Sequence, residues 1–153
     1  MTLPADTLVL VADGRKALFL RNHGDQRQID LRTTSHWERE DRKDSDIKTD
    51  ASGQSPAPAG TGLPGGTMGE PDFHQQEEDR FARELADKIN AMALAGKFDA
   101  LVVIAPARTM GELRPLWHKE TSARLIGEHV KEMTDRPISD IEALLVGEAA
   151  PPS

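Results

Sequence analysis

Thr7-Leu-Val-Leu-Val-Ala-Asp-Gly-Arg-Lys-Ala-Leu-Phe-Leu20 decides the fold of this 153-residue chain. Leu8 to Ala12 is a short apolar run, and Ala17 to Leu20 is a second one within a hairpin's reach. Asp13-Gly14 between them is a strong hairpin-turn signal, because the tightest turns need positive φ at both central positions. Asn22-His-Gly-Asp25 marks a further turn, after which Gln28, Asp30 and Arg32 alternate with Ile29 and Leu31. That alternation suits a half-buried third strand, so residues 7–32 are expected to form a three-stranded antiparallel meander.

Downstream, residues 73–95 carry the clearest helical pattern. Phe81, Leu85, Ile89 and Met92 fall on one stripe, acidic residues cluster near the start, and Gly96 stands just past the end. Phe98-Asp-Ala-Leu-Val-Val-Ile-Ala105 is then a nearly continuous apolar run stopped by Pro106, as expected of a parallel strand buried on both faces. Met110, Leu113 and Trp117 share a helical face, with Pro115 disturbing the last turn. Residues 125–132 alternate and are read as a strand, with a helix continuing from His118 as the other reading. Pro137 suits the first turn of a closing helix through Ile138, Ile141, Leu144 and Leu145. The expected fold is therefore α/β, a single domain over residues 1–147 with a tail at 148–153.

Between these flanks, residues 33–72 carry four basic and eight acidic residues, and 51–72 hold six glycines and four prolines. Burial cannot repay the chain entropy of such a tract, so a long mobile loop is expected at 33–72. A compact scaffold with one large loop tends to place its function there.

Composition narrows the chemistry. There is no cysteine, which excludes disulfides, thiolate metal sites and a cysteine nucleophile. The five histidines show no ligand spacing, no phosphate-cradling or nucleophile-elbow motif is present, and Gly62-Leu-Pro-Gly-Gly66 reads as linker. No catalytic residue, metal or cofactor is therefore assigned. The net charge of −7 argues against a general nucleic-acid surface while leaving room for a local basic patch. The amino terminus lacks a basic leader and its apolar run is too short to span a membrane, so a cytoplasmic location without membrane association is expected.

The basic candidates lie at Arg108-Thr-Met-Gly-Glu-Leu-Arg114, with His118, Lys119 and Arg124. They follow the apolar strand at its carboxyl end, where open α/β sheets usually form a ligand crevice. Arg108, Arg114, His118 and Lys119 could bind phosphate or carboxylate. Arg114 and Glu120 could equally serve as surface pairs or helix caps.

Several segments together resemble the family of host attachment proteins, required for attachment to host cells. They are Val11-Ala-Asp-Gly14 with Ala17, Phe81-Ala-Arg83, Phe98-Asp-Ala-Leu-Val-Val-Ile-Ala-Pro106, Gly111-Glu-Leu-Arg114 with His118-Lys119, Lys131-Glu-Met-Thr134 and Ile141-Glu142. That family in turn looks like the central domain of archaeo-eukaryotic peptide-chain release factors and their bacterial relatives. There a strand meander leads to a loop carrying Gly-Gly-Gln. Ser52-Gly53-Gln54 occupies the corresponding loop here, ahead of Arg80-Phe-Ala-Arg83. The resemblance implies a five-stranded mixed sheet flanked by helices. Ser52 replaces the first glycine, and a long insert separates Gln54 from Arg80, so peptidyl-tRNA hydrolysis is not expected. The leading expectation is a non-enzymatic binding protein of the host attachment family, working on an unidentified protein partner through the 33–72 loop and the basic corner. The alternative is a ribosome- or tRNA-associated translation factor. A small hydrolase is a third, weaker reading, and an exposed sheet edge would suit a homodimer.

Overall fold

The computed structural model describes residues 3–39 and 57–149, with side chains from Gln75 to Gly147 in the second segment. Five strands form one sheet in the order β3-β2-β1-β4-β5. They are β1 (Leu8–Ala12), β2 (Lys16–Asn22), β3 (Leu31–Glu38), β4 (Leu101–Ala105) and β5 (Leu125–Val130). The helices are α1 (Ala57–Leu94), α2 (Ala107–Leu113), α3 (Lys119–Arg124) and α4 (Ile138–Ala149), with a 3₁₀ turn at Arg114–Leu116. β1–β2 and β2–β3 are antiparallel, while β1–β4 and β4–β5 are parallel. This is the single-domain, mixed five-stranded α/β fold that the sequence implies.

Alternation along the strands builds two cores. Leu8, Leu10, Ala12, Phe19, Leu101 and Val103 face one side and meet Phe81, Leu85 and Ile89 of α1 with Met110 and Leu113 of α2. Val9, Val11, Leu20, Leu31, Val102 and Ile104 face the other side and meet Ile141 and Leu145 of α4. The periodic stripe of α1 is thus the face that covers the sheet. Gly96 ends this helix at φ 70, a conformation glycine adopts without strain. The N–H of Gly96 bonds Ala93 O at 3.0 Å, and that of Lys97 bonds Met92 O at 2.9 Å.

Four expectations are corrected in detail. The β1–β2 turn does not use positive φ at Gly14. Instead, Asp13 Oδ1 accepts the N–H groups of Arg15 at 2.7 Å and Lys16 at 2.8 Å, so a side chain replaces the backbone turn. The third strand is Leu31–Glu38 rather than residues 28–32. Residues 23–30 form a turn held by Asn22, whose Oδ1 accepts from the N–H of Gly24 at 3.0 Å and of Asp30 at 2.9 Å. Gly24 is required there, since a Cβ would lie 2.0 Å from Gln28 O.

The expected 33–72 loop overlaps a strand at one end and a helix at the other. Thr33–Glu38 belongs to β3, whose outer position leaves it exposed and without an apolar alternation to read. At the other end, α1 begins at Ala57. Five glycines and three prolines within residues 57–72 disguise that start, and intrinsic propensity does not account for it. Residues 40–56, including Ser52, Gly53 and Gln54, lie outside the described residues. Finally, α4 runs through Ala149, two residues into the expected tail.

Leu85 is fully buried between α1 and the sheet, whereas Leu94 is 60% exposed. Leu85→Ala is expected to lower stability by about 3 kcal/mol, and Leu94→Ala by less than about 0.5 kcal/mol. Urea unfolding of the two variants checks the difference.

Candidate functional site

β1, β4 and β5 run parallel, so their carboxyl ends share one edge of the sheet. The chain places chemistry there from three directions. Asp13 closes the β1–β2 turn, and its Oδ2 accepts the hydroxyl of Thr134 at 2.6 Å, tying the turn to the segment between β5 and α4. Lys16 pairs with Asp135 on the same seam. This hydrogen bond is the chief cause that raises the Lys16 pKa above its ordinary value.

The second group surrounds Arg108, the second residue of α2. Its Nε stands 3.4 Å from Glu78 of α1 and 3.6 Å from Glu112 one helical turn on. Gln75 Nε2 donates to Asp79 Oδ1 at 2.8 Å and to Glu112 Oε2 at 3.1 Å. Burial, opposed in part by that Gln75 bond and reinforced by Asp79 and Glu78, raises the Glu112 carboxyl above the ordinary range. Gly14 lies under this cluster, where a Cβ would come within 3.2 Å of Glu78.

The remaining basic candidates are engaged locally. Arg114 makes a forked contact with Glu128 of β5, at 3.1 Å from Nε and 2.8 Å from Nη2. This contact raises its already high pKa. His118 caps α3, its Nδ1 accepting from the N–H of Glu120 at 3.0 Å. Arg124 donates to Phe98 O at 3.0 Å and to Glu120 Oε1 at 2.9 Å, and the latter contact lowers the Glu120 pKa. Lys119 is exposed beside His118. Asn90 of α1 binds this stretch to the long helix, donating to Leu116 O at 2.9 Å and accepting from His118 N–H at 2.9 Å and the Thr121 hydroxyl at 2.6 Å.

The five candidates therefore do not converge on one anion pocket. Arg108 follows the carboxyl end of β4, whereas Arg124 grips Phe98, which precedes its amino end. Spacing along the chain suggested a basic corner. The folded molecule pairs Arg108, Arg114 and Arg124 with carboxylates, two of them on other elements where sequence spacing gives no hint. Lys119 and the His118 ring are left at the surface.

Sequence reading also missed a groove of about 580 Å³ between the end of β3 and α1. His36, Trp37 and Arg39 line one wall, and Glu77, Arg80 and Glu84 line the other. Its place on β3 was hidden because residues 33–38 of that strand were assigned to the loop. In the sequence, Ser52, Gly53 and Gln54 fall between β3 and α1, outside the described residues. Among the described residues, no group of three or more His, Asp or Glu could hold a metal ion, and no helix is long and apolar enough to cross a membrane.

In comparison with known protein families, residues 6–145 match the model of bacterial archaeo-eukaryotic release factor family 12. No curated protein matches the chain.

The raised Glu112 carboxyl has a stability consequence. The folded chain favours the protonated form, so stability held below the ordinary value of 4.5 is lost as pH rises through the raised value. Glu112→Gln removes this loss. The variant is expected to be more stable than the parent at neutral pH, with the gap closing below 4.5. Urea midpoints across that range check it.

Proposed function

This chain belongs to bacterial archaeo-eukaryotic release factor family 12, and from that premise we propose that it is a ribosome- or tRNA-associated factor that binds rather than hydrolyses. The single observation that carries this reading is the family match, which spans the sheet, both helical layers and the β3–α1 connection. In the release-factor central domain that connection holds Gly-Gly-Gln, and here it holds Ser52-Gly53-Gln54. The serine argues against hydrolysis, because its Cβ restricts the backbone freedom that glycine would supply.

A chain of net charge −7 can approach RNA only through a local surface. Exposed Lys119 and His118, with half-exposed Arg114 a few residues earlier in the chain, form the best surface of this kind. The host attachment resemblance finds no support in the comparisons, and a role in attachment is not carried further.

Sedimentation through sucrose separates the outcomes. The protein is expected to travel with ribosomes at low salt and to release as salt rises. Arg114→Ala combined with Lys119→Ala should remove most of the bound fraction. Arg114 and Glu128 pair at the surface, where ion pairs contribute little to stability, so the double variant is expected to remain folded. Glu128→Gln, which frees Arg114, should keep binding. Protein that stays at the top of the gradient at every salt concentration contradicts the proposal, and release of peptide from peptidyl-tRNA contradicts its non-hydrolytic part.

A further inference from the structure

β5 closes the sheet at the edge opposite β3 and bonds β4 alone among the described strands. The segments that flank it in the chain, Lys119–Arg124 and residues 131–136, are both described, and neither adds a strand. The N–H of Lys131 donates to Ala105 O at 3.0 Å, so position 131 turns its backbone toward β4. That direction alternates along a strand, and Ile126, Glu128 and Val130 therefore turn their N–H and C=O groups outward. Such an edge templates another strand, and β5 holds no proline or lysine to prevent it.

The side chains repeat the same period. Ile126, Glu128 and Val130 share one face of β5. Ile126 is 42% exposed and Val130 51%, leaving two branched apolar side chains in solvent. Between them, Glu128 takes the fork of Arg114, whose Nε and Nη2 both meet its Oε1. Among the described residues, Glu128 Oε2 and Arg114 Nη1 make no further hydrogen bond, and the arginine side chain is 54% exposed. An apolar–ionic–apolar row of this kind is complementary to its own reverse. Turned antiparallel about a two-fold axis at Glu128, β5 sets Ile126 against the partner's Val130, and does so twice. The two glutamates and two arginines then alternate in charge around the axis. Like charges directly opposite would oppose pairing, and the arginines between them remove that cost.

We propose that the chain forms a two-fold homodimer in which β5 pairs antiparallel with β5 of a second copy, Ile126 lying opposite the partner's Val130. The interface is isologous, and it joins the two sheets into one. All three outward residues of each strand find backbone partners in this register. The contact is small, so the dimer is reversible and forms with rising concentration. The proposal does not depend on ribosome association, and the substitutions that test it leave Arg114 and Lys119 in place.

Sedimentation velocity of the purified full chain, from low micromolar to near millimolar concentration, tests it. A monomer–dimer equilibrium is expected. Ile126→Lys and Val130→Lys should each weaken it about tenfold or more, since each change counts twice across the two-fold. Both positions are exposed, so the variants keep the fold. The chain has no cysteine, so introduced thiols report the register. Ile126→Cys mixed with Val130→Cys should crosslink on mild oxidation. Residues opposed in a hydrogen-bonded pair have Cα atoms about 5.5 Å apart, within disulfide reach. Ile126→Cys alone should not crosslink, because the two copies of that position lie four residues apart along the paired strands. A chain that stays monomeric at every concentration overturns the proposal, as does a dimer unchanged by Val130→Lys. Crosslinking of Ile126→Cys alone as fast as of the mixture also overturns it.

Discussion

Burial of β1 on both faces is the constraint on which the rest of the molecule depends. Every residue from Leu8 to Ala12 is fully enclosed. Leu8, Leu10 and Ala12 feed one core, and Val9 and Val11 feed the other. β1 is also the middle strand, pairing antiparallel with β2 and parallel with β4. A one-residue slip would exchange the two faces. The register Val9↔Leu20 and Val9↔Val102 therefore fixes where α1 and α4 can dock. It also fixes where the chain emerges at Asp13, at the edge shared by Arg108, Glu112 and Thr134.

That scaffold explains how charge is distributed. Cations that adjoin one another in sequence are drawn to carboxylates brought near by folding: Arg108 to Glu78, Arg114 to Glu128 and Lys16 to Asp135. The pairs on the surface contribute little stability individually. Their consequence is electrostatic, since they cancel a basic field that would otherwise collect at the carboxyl edge. What stays exposed without a carboxylate ion pair among the described residues is narrower than the sequence suggests: Lys119 with the His118 ring.

The fold was legible where burial imposes a pattern. The apolar runs of β1, β2 and β4 and the stripe of Phe81, Leu85 and Ile89 all arise from contact with a core, and each appears in the sequence as a pattern. A third strand was expected, but its extent over Thr33–Glu38 was not legible, because exposed Arg32, Thr33, Thr34, Ser35 and His36 have no apolar face to reveal it. The site was less legible still. Arg108, Arg114, His118, Lys119 and Arg124 were found as residue types, but their partners lie on other elements or in local caps, and the placing of Arg108 and Arg124 toward opposite ends of β4 is a tertiary fact. Glu77 could not be recognised at all, because nothing in the sequence separates a buried carboxylate on α1 from half-buried Glu78 and Asp79 and exposed Glu84 around it.

The central claim is that a release-factor scaffold here serves association with the translation apparatus. Photocrosslinking from a benzophenone side chain placed at Gln54, in living cells, tests it most directly. The account predicts crosslinks to ribosomal RNA, ribosomal protein or tRNA. Crosslinks confined to proteins outside the translation apparatus would contradict it.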